Sequence, residues 1–205
     1  MHTMNEGKVI RALQRYLHGH GLITVKKLNL FDHAHDAAER TFITDLAAHP
    51  LATKGPRTHL QEQDDARRFD NSRALLDHIA RELADICIFP SETDRQSGWC
   101  RSENPNPMAG LAFEIENAKS KYFLGSLLAA SIAGRWGILI VPDTTHTRLW
   151  VNTVRRMIHK GGTSPIPSNT IIVKWPDLDD HIRRSGEPSA RPYVSPAAGS
   201  PAGQP

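Results

Sequence analysis

Apolar and polar positions change period several times along this chain, and each change marks an element. In NEGKVIRALQRYLHGHG, Val9, Ile10, Leu13, Tyr16 and Leu17 recur at helical spacing. Asn5 can cap that helix and Gly19 or Gly21 can end it. LITVKKLNL (22–30) reads as a strand. Residues 31–70 are polar and irregular; the spacing of Ala38, Phe42 and Leu46 predicts a helix near 35–48, and Gly55-Pro56 a loop, so this stretch is expected to be an insertion. Leu75, Leu76, Ile79 and Leu83 form the apolar face of an amphipathic helix over 71–83. ADICIFP (84–90) follows as a short strand stopped by Pro90, then a Ser, Asn, Pro and Gly-rich loop to residue 110.

The second half is more apolar. GLAFEIE (110–116) predicts a strand and 117–133 an apolar helix. WGILIVPD (136–143) is a nearly continuous apolar run, as expected in a sheet covered on both faces. THTRLWVNTVRRMIHKG (145–161) carries Trp150, Val154, Met157 and Ile158 on one helical side, and NTIIVKW (169–175) is a last strand. Beyond Glu187, Pro, Ala, Ser and Gly leave too little apolar bulk to fold. The order predicts one α/β or α+β domain over 1–185, three-layered, with a central mixed sheet between helices, followed by a tail over 186–205.

Composition refines this picture modestly. Residues 123–141 are mostly apolar, but Gly134-Arg135 interrupts them, so they read as a buried helix running into a buried strand and not as a membrane span. Two cysteines, Cys87 and Cys100, do not make a disulfide framework, and no secretory signal is visible; a cytoplasmic setting is expected. The net charge of +3 identifies no partner. Its distribution is more informative. From Asn117 to Lys160 there are seven basic residues (Lys119, Lys121, Arg135, Arg148, Arg155, Arg156, Lys160) against Asp143 alone, whereas residues 31–95 hold thirteen acids and eight bases. A basic C-terminal half could face a polyanion, or could be the solvated face of helices.

The candidate chemistry lies in AFEIENAKSKYF (112–123). With a strand period of two, Ala112, Glu114 and Glu116 share one face and Leu111, Phe113 and Ile115 the other. Two carboxylates on one face, with backbones about 7 Å apart, repel each other and resist desolvation unless a cation stands between them. If 84–90 pairs with 110–116 as a long-looped hairpin, Asp85 approaches Glu114. Three carboxylates with water suit Mg²⁺ or Mn²⁺. The plainer alternative is an edge strand with Glu114 and Glu116 in solvent, paired to Lys119 and Lys121.

This arrangement of an Asp, a strand with an acidic pair, a helix and an apolar strand resembles the PD-(D/E)xK nuclease superfamily, with its restriction-endonuclease-like fold. The resemblance covers roughly 84–141, and more loosely the opening helix and strand. It implies a Mg²⁺-dependent endonuclease acting on nucleic acid, with DNA the expected substrate. Asp85 and Glu114 take the metal, and Glu116 stands where the family motif has lysine. Lys121, or Lys119, is then expected to supply the lysine from the following helix, and Glu6 an acidic ligand from the first. Arg135, Arg148, Arg155, Arg156 and Lys160 are expected on the nucleic-acid backbone. The glutamate at 116 keeps open a catalytically inactive relative that only binds nucleic acid or protein, and a plain interaction domain remains a third reading. The small residues in 122–133 read as core packing or as a homodimer interface.

Other motifs carry less. His18-Gly-His20 and His33-Ala-His35 lack companions at zinc-finger spacing. HKGGTSP (159–165) does not have P-loop spacing, and no nucleophile elbow surrounds Ser120 or Ser126. Pro142-Asp143 and Pro176-Asp177 read as turns at strand ends.

Overall fold

The computed structural model describes residues 4–29, 43–50, 59–96, 103–105, 107–117, 120–159 and 167–185. They form an α+β domain around a five-stranded mixed sheet of order β1-β2-β3-β4-β5. The strands are β1 (Thr24–Asn29), β2 (Ile43–Pro50), β3 (Ala109–Ile115), β4 (Gly134–Val141) and β5 (Thr170–Lys174). β1, β2 and β3 are antiparallel neighbours; β3, β4 and β5 run parallel, joined by helical crossovers α4 (Ser120–Ala133) and α5 (Thr145–His159). Two-residue hairpins cannot join parallel strands, which is why the apolar helices fall where they do.

Each face of the sheet has its own core. On one face Leu46, Ala48, Leu111, Phe113, Ile115, Ile138, Ile140, Ile171 and Val173 pack with α1 (Glu6–Gly19), α2 (His59–Asp85) and α6 (Trp175–Ser185). On the other, Leu139, Val141 and Ile172 meet Phe123 and Leu127 of α4 and Val151 and Val154 of α5. Glycine sets the distance of α4. A Cβ on Gly137 would lie 2.5 Å from the Ser131 backbone nitrogen, so helix and strand touch main chain to main chain. Beside this contact Ala47, Ala112 and Ala133 form a thin patch of small side chains.

α1 follows expectation, with Asn5 as N-cap accepting a hydrogen bond from the Lys8 N–H at 3.0 Å. The expected strands near 22–30, 110–116, 136–143 and 169–175 and the helices near 117–133 and 145–161 are present. Three expectations are corrected. Ile43–Pro50 is a central strand and not part of a helix over 35–48, so the stretch 31–70 is not wholly an insertion. Residues 84 and 85 finish α2, and of 86–90 only Phe89 bridges a strand residue, Ile172; no hairpin joins this segment to β3. The loop after residue 90 contains a short helix, α3 (Glu92–Gln96). The tail over 186–205 lies outside the described residues. Among the described residues, no helix is long and apolar enough to cross a membrane.

Candidate functional site

β3 delivers its carboxylates to the α4 side of the sheet. Ala112 faces Gly137 and Glu114 faces Leu139 in the β3–β4 ladder, both on the face where α4 packs. Glu116 follows just beyond the strand; its backbone N–H donates to Ile140 O at 2.9 Å, and its Oε2 accepts from Ser126 Oγ of α4 at 3.3 Å. Both glutamates are buried, each 8 % exposed, which rules out the solvent-facing reading of the pair.

The neighbouring carboxylate comes from β2. The β2–β3 ladder runs from Pro50↔Ala109 to Leu46↔Phe113, and the next position sets Asp45 opposite Glu114. There the strands are joined by a side chain: Asp45 Oδ2 accepts the Ile115 N–H at 2.9 Å. Lys27 completes the row from β1, between the pairs Lys26↔Leu46 and Leu28↔Thr44. Its Nζ donates to Asp45 Oδ1, and to Glu6 Oε1 of α1 at 3.1 Å. Lys27 has φ +52°, a left-handed conformation that costs an L-residue with a Cβ about 1–2 kcal/mol and marks a break in regular strand geometry.

Burial dominates the electrostatics. It pushes the Glu114 carboxyl up to about 9, and the neighbouring Asp45 charge adds to the effect. Glu114 Oε1 is buried without a hydrogen-bond partner among the described residues. Partial burial opposes the Lys27 charge, but the hydrogen bonds and charges of Asp45 and Glu6 outweigh it and hold its pKa above the ordinary lysine value.

A buried, partnerless carboxylate oxygen beside a second carboxylate fits a hard divalent cation, because oxygen donors of this kind are otherwise satisfied. The cage is not closed, however. Among the described residues no group of three or more His, Cys, Asp or Glu side chains is arranged to hold a metal ion. Lys27 supplies the positive charge next to Asp45 instead.

Several expected site residues lie elsewhere. Asp85 ends α2 on the surface, its side chain 76 % exposed and 3.5 Å from Arg95, because the segment that should have carried it into the sheet is helical. Lys119 lies outside the described residues; Lys121 is in the first turn of α4, and its side chain is not described. Glu6 does reach the site, through Lys27.

Of the expected backbone-binding cations, Arg135 is buried, with Nε and Nη2 each 3.0 Å from Asp77 and a further ion pair to Glu103. Arg155 bonds Asp94 and Ile88 O, each at 3.0 Å. These two are structural. Arg148 is exposed, 3.9 Å from Asp143, and Arg156 is exposed. Lys160 lies outside the described residues.

Asp45 and Lys27 were not singled out by sequence reasoning. The signal for Asp45 was the run Thr41-Phe42-Ile43-Thr44, strong strand formers immediately before an acid. That for Lys27 was a polar pair, Lys26-Lys27, inside a short strand, which cannot put both side chains on one face. Neither a scan against protein-family models nor comparison with curated proteins or solved structures gave a match to this chain.

Proposed function

We propose that this protein is a metal-dependent nuclease of the PD-(D/E)xK type, hydrolysing phosphodiester bonds in nucleic acid, with DNA the expected substrate. One observation carries the reading: Asp45 and Glu114 stand opposite each other on adjacent central strands, with the buried oxygen of Glu114 unpartnered. The antiparallel β1-β2-β3 unit followed by helix α4 and parallel β4 agrees with the resemblance drawn from the sequence, once Asp45 takes the place given to Asp85.

Asp45 and Glu114 are the residues that would hold Mg²⁺ or Mn²⁺, with Glu116 next along the same face and bonded to Ser126. When bound, such an ion polarises a phosphoryl oxygen and lowers the pKa of its water. The chain's own contribution is positional. Asp45 is fixed by the Ile115 N–H, so its carboxylate cannot turn away from Glu114. Burial of Glu114 and Glu116 lowers the dielectric around their carboxyls, which strengthens their attraction for a bound cation. Lys27, oriented by Glu6 and Asp45, is the ammonium that offsets negative charge developing on the phosphoryl group. It replaces the lysine that the motif would carry at position 116.

The test is incubation with supercoiled and linear DNA in Mg²⁺ or EDTA. Cutting in Mg²⁺ that EDTA abolishes is expected; no metal-dependent cutting rejects the enzyme. A second reading, a nucleic-acid-binding relative without catalysis, is favoured by the glutamate at 116 and by the open cage. Retention of DNA without cutting would select it.

A further inference from the structure

The outer face of α1 carries cations that no described carboxylate neutralises. From Met4 to Asn29 the chain has five Lys or Arg residues (Lys8, Arg11, Arg15, Lys26, Lys27) and a single acid, Glu6. At 100° per residue, Lys8, Arg11, Arg15 and His18 fall within an arc of about 80°, opposite the buried stripe of Val9, Leu13 and Tyr16. All four are exposed. Lys8, Arg11 and Arg15 have no carboxylate within ion-pair distance among the described residues. Several other exposed cations sit beside acids: Arg183 with Asp179, Arg148 with Asp143, Arg95 with Asp85. A solvated helix face ordinarily mixes both signs, so a face of one sign calls for a ligand of the other.

The position of this face connects it to the candidate site. Glu6, at the first turn of α1, touches Lys27; at the far end, His18 and Gln14 both bond Thr24 Oγ1, at 2.8 and 3.3 Å. α1 therefore runs antiparallel along the edge strand β1, from the Lys27–Asp45 row outward. Lys26 is exposed on the same strand. The row of cations spans ten residues, about 15 Å of helix, the length of several phosphates along one strand.

We propose that the Lys8–Arg11–Arg15–His18 face of α1 is the track for the phosphate backbone of the nucleic acid, leading it to the Asp45–Glu114 site. This rests on the nuclease reading and assigns the substrate-binding surface to the N-terminal helix, in place of the basic residues of the C-terminal half. Contacts of this kind position a polyanion without reading its sequence.

The test measures anisotropy of a labelled DNA duplex in EDTA, across a salt series. The proteins are the full chain, Lys8→Gln/Arg11→Gln/Arg15→Gln, and Arg148→Gln/Arg156→Gln, each with its thermal midpoint recorded. The α1 variant is expected to bind at least tenfold more weakly and to lose about two to three from the slope of log K against log salt, with its midpoint unchanged. The C-terminal variant is expected to keep the slope. An unchanged slope in the α1 variant, an equal loss in the C-terminal variant, or binding to anionic lipid vesicles but not to DNA would overturn the proposal. Binding that follows this pattern in a protein that never cuts DNA would remove the nuclease reading and leave the track standing.

Discussion

Asp45 bonds the Ile115 backbone N–H at 2.9 Å, a side chain taking over where the β2–β3 ladder stops. That bond holds a carboxylate at the sheet's centre, opposite Glu114 and against the Lys27 ammonium. Two buried acids side by side are expensive to assemble, since a carboxylate gives up hydration there, and the exposed Lys27 ammonium offsets part of that cost at Asp45.

Stability should fall as pH rises. Burial raises the Glu114 carboxyl from 4.5 to about 9. Between those values the folded chain holds a proton that the unfolded chain has released, so its stability is greatest at the acidic end and is lost toward pH 9. The slope from this one group is at most about 1.4 kcal/mol per pH unit. Urea unfolding at several pH values in EDTA should show the decline, and Glu114→Gln should flatten it. A wild-type slope that Glu114→Gln leaves unaltered contradicts the assignment.

Lys27 should matter for rate more than for folding. Lys27→Asn keeps a residue that tolerates the left-handed backbone and removes the ammonium. Cleavage is expected to drop about a hundredfold or more, with stability within about 1 kcal/mol. Lys121→Ala should stay within a few-fold of wild type. The reverse ranking would return the role to the α4 lysine.

Arg135 should behave as a structural residue. Its guanidinium is buried against Asp77 and Glu103. Arg135→Gln is expected to cost about 3 kcal/mol, roughly 10 °C in Tm, without changing the salt slope of DNA binding. A soluble, fully stable variant that binds DNA weakly would contradict this.

Gly137→Ala tests the close seating of α4. The added Cβ must push the helix away from the sheet and is expected to cost about 1–3 kcal/mol. A neutral effect in thermal unfolding would show that the helix moves aside freely.

Much of the architecture was legible because its signals are local. The mostly apolar runs at 110–116, 136–141 and 170–173 read as strands, the first two central and the last at the edge of the sheet, and Asn5 announces α1. The pairing of Glu114 with Glu116 on one face also followed from strand period alone. β2 was illegible because Leu46-Ala47-Ala48 favours helix locally, and its strand state depends on partners far away, β1 and β3. Conversely, the β-branched Ile86 and Ile88 suggested a strand where α2 ends and only Phe89 bridges the sheet. These two errors moved the partner of Glu114 from Asp45 to Asp85. The position of Lys27 in the row depends on a left-handed residue that periodicity does not reveal.

The most direct test compares single-turnover DNA cleavage in Mg²⁺ by the wild type, Asp45→Asn, Glu114→Gln and Asp85→Asn. The account predicts metal-dependent cutting by the wild type, a loss of at least about a hundredfold in Asp45→Asn and Glu114→Gln, and an unchanged rate in Asp85→Asn. A wild type that never cuts, or an Asp45→Asn variant that cuts as fast as the wild type, would contradict it.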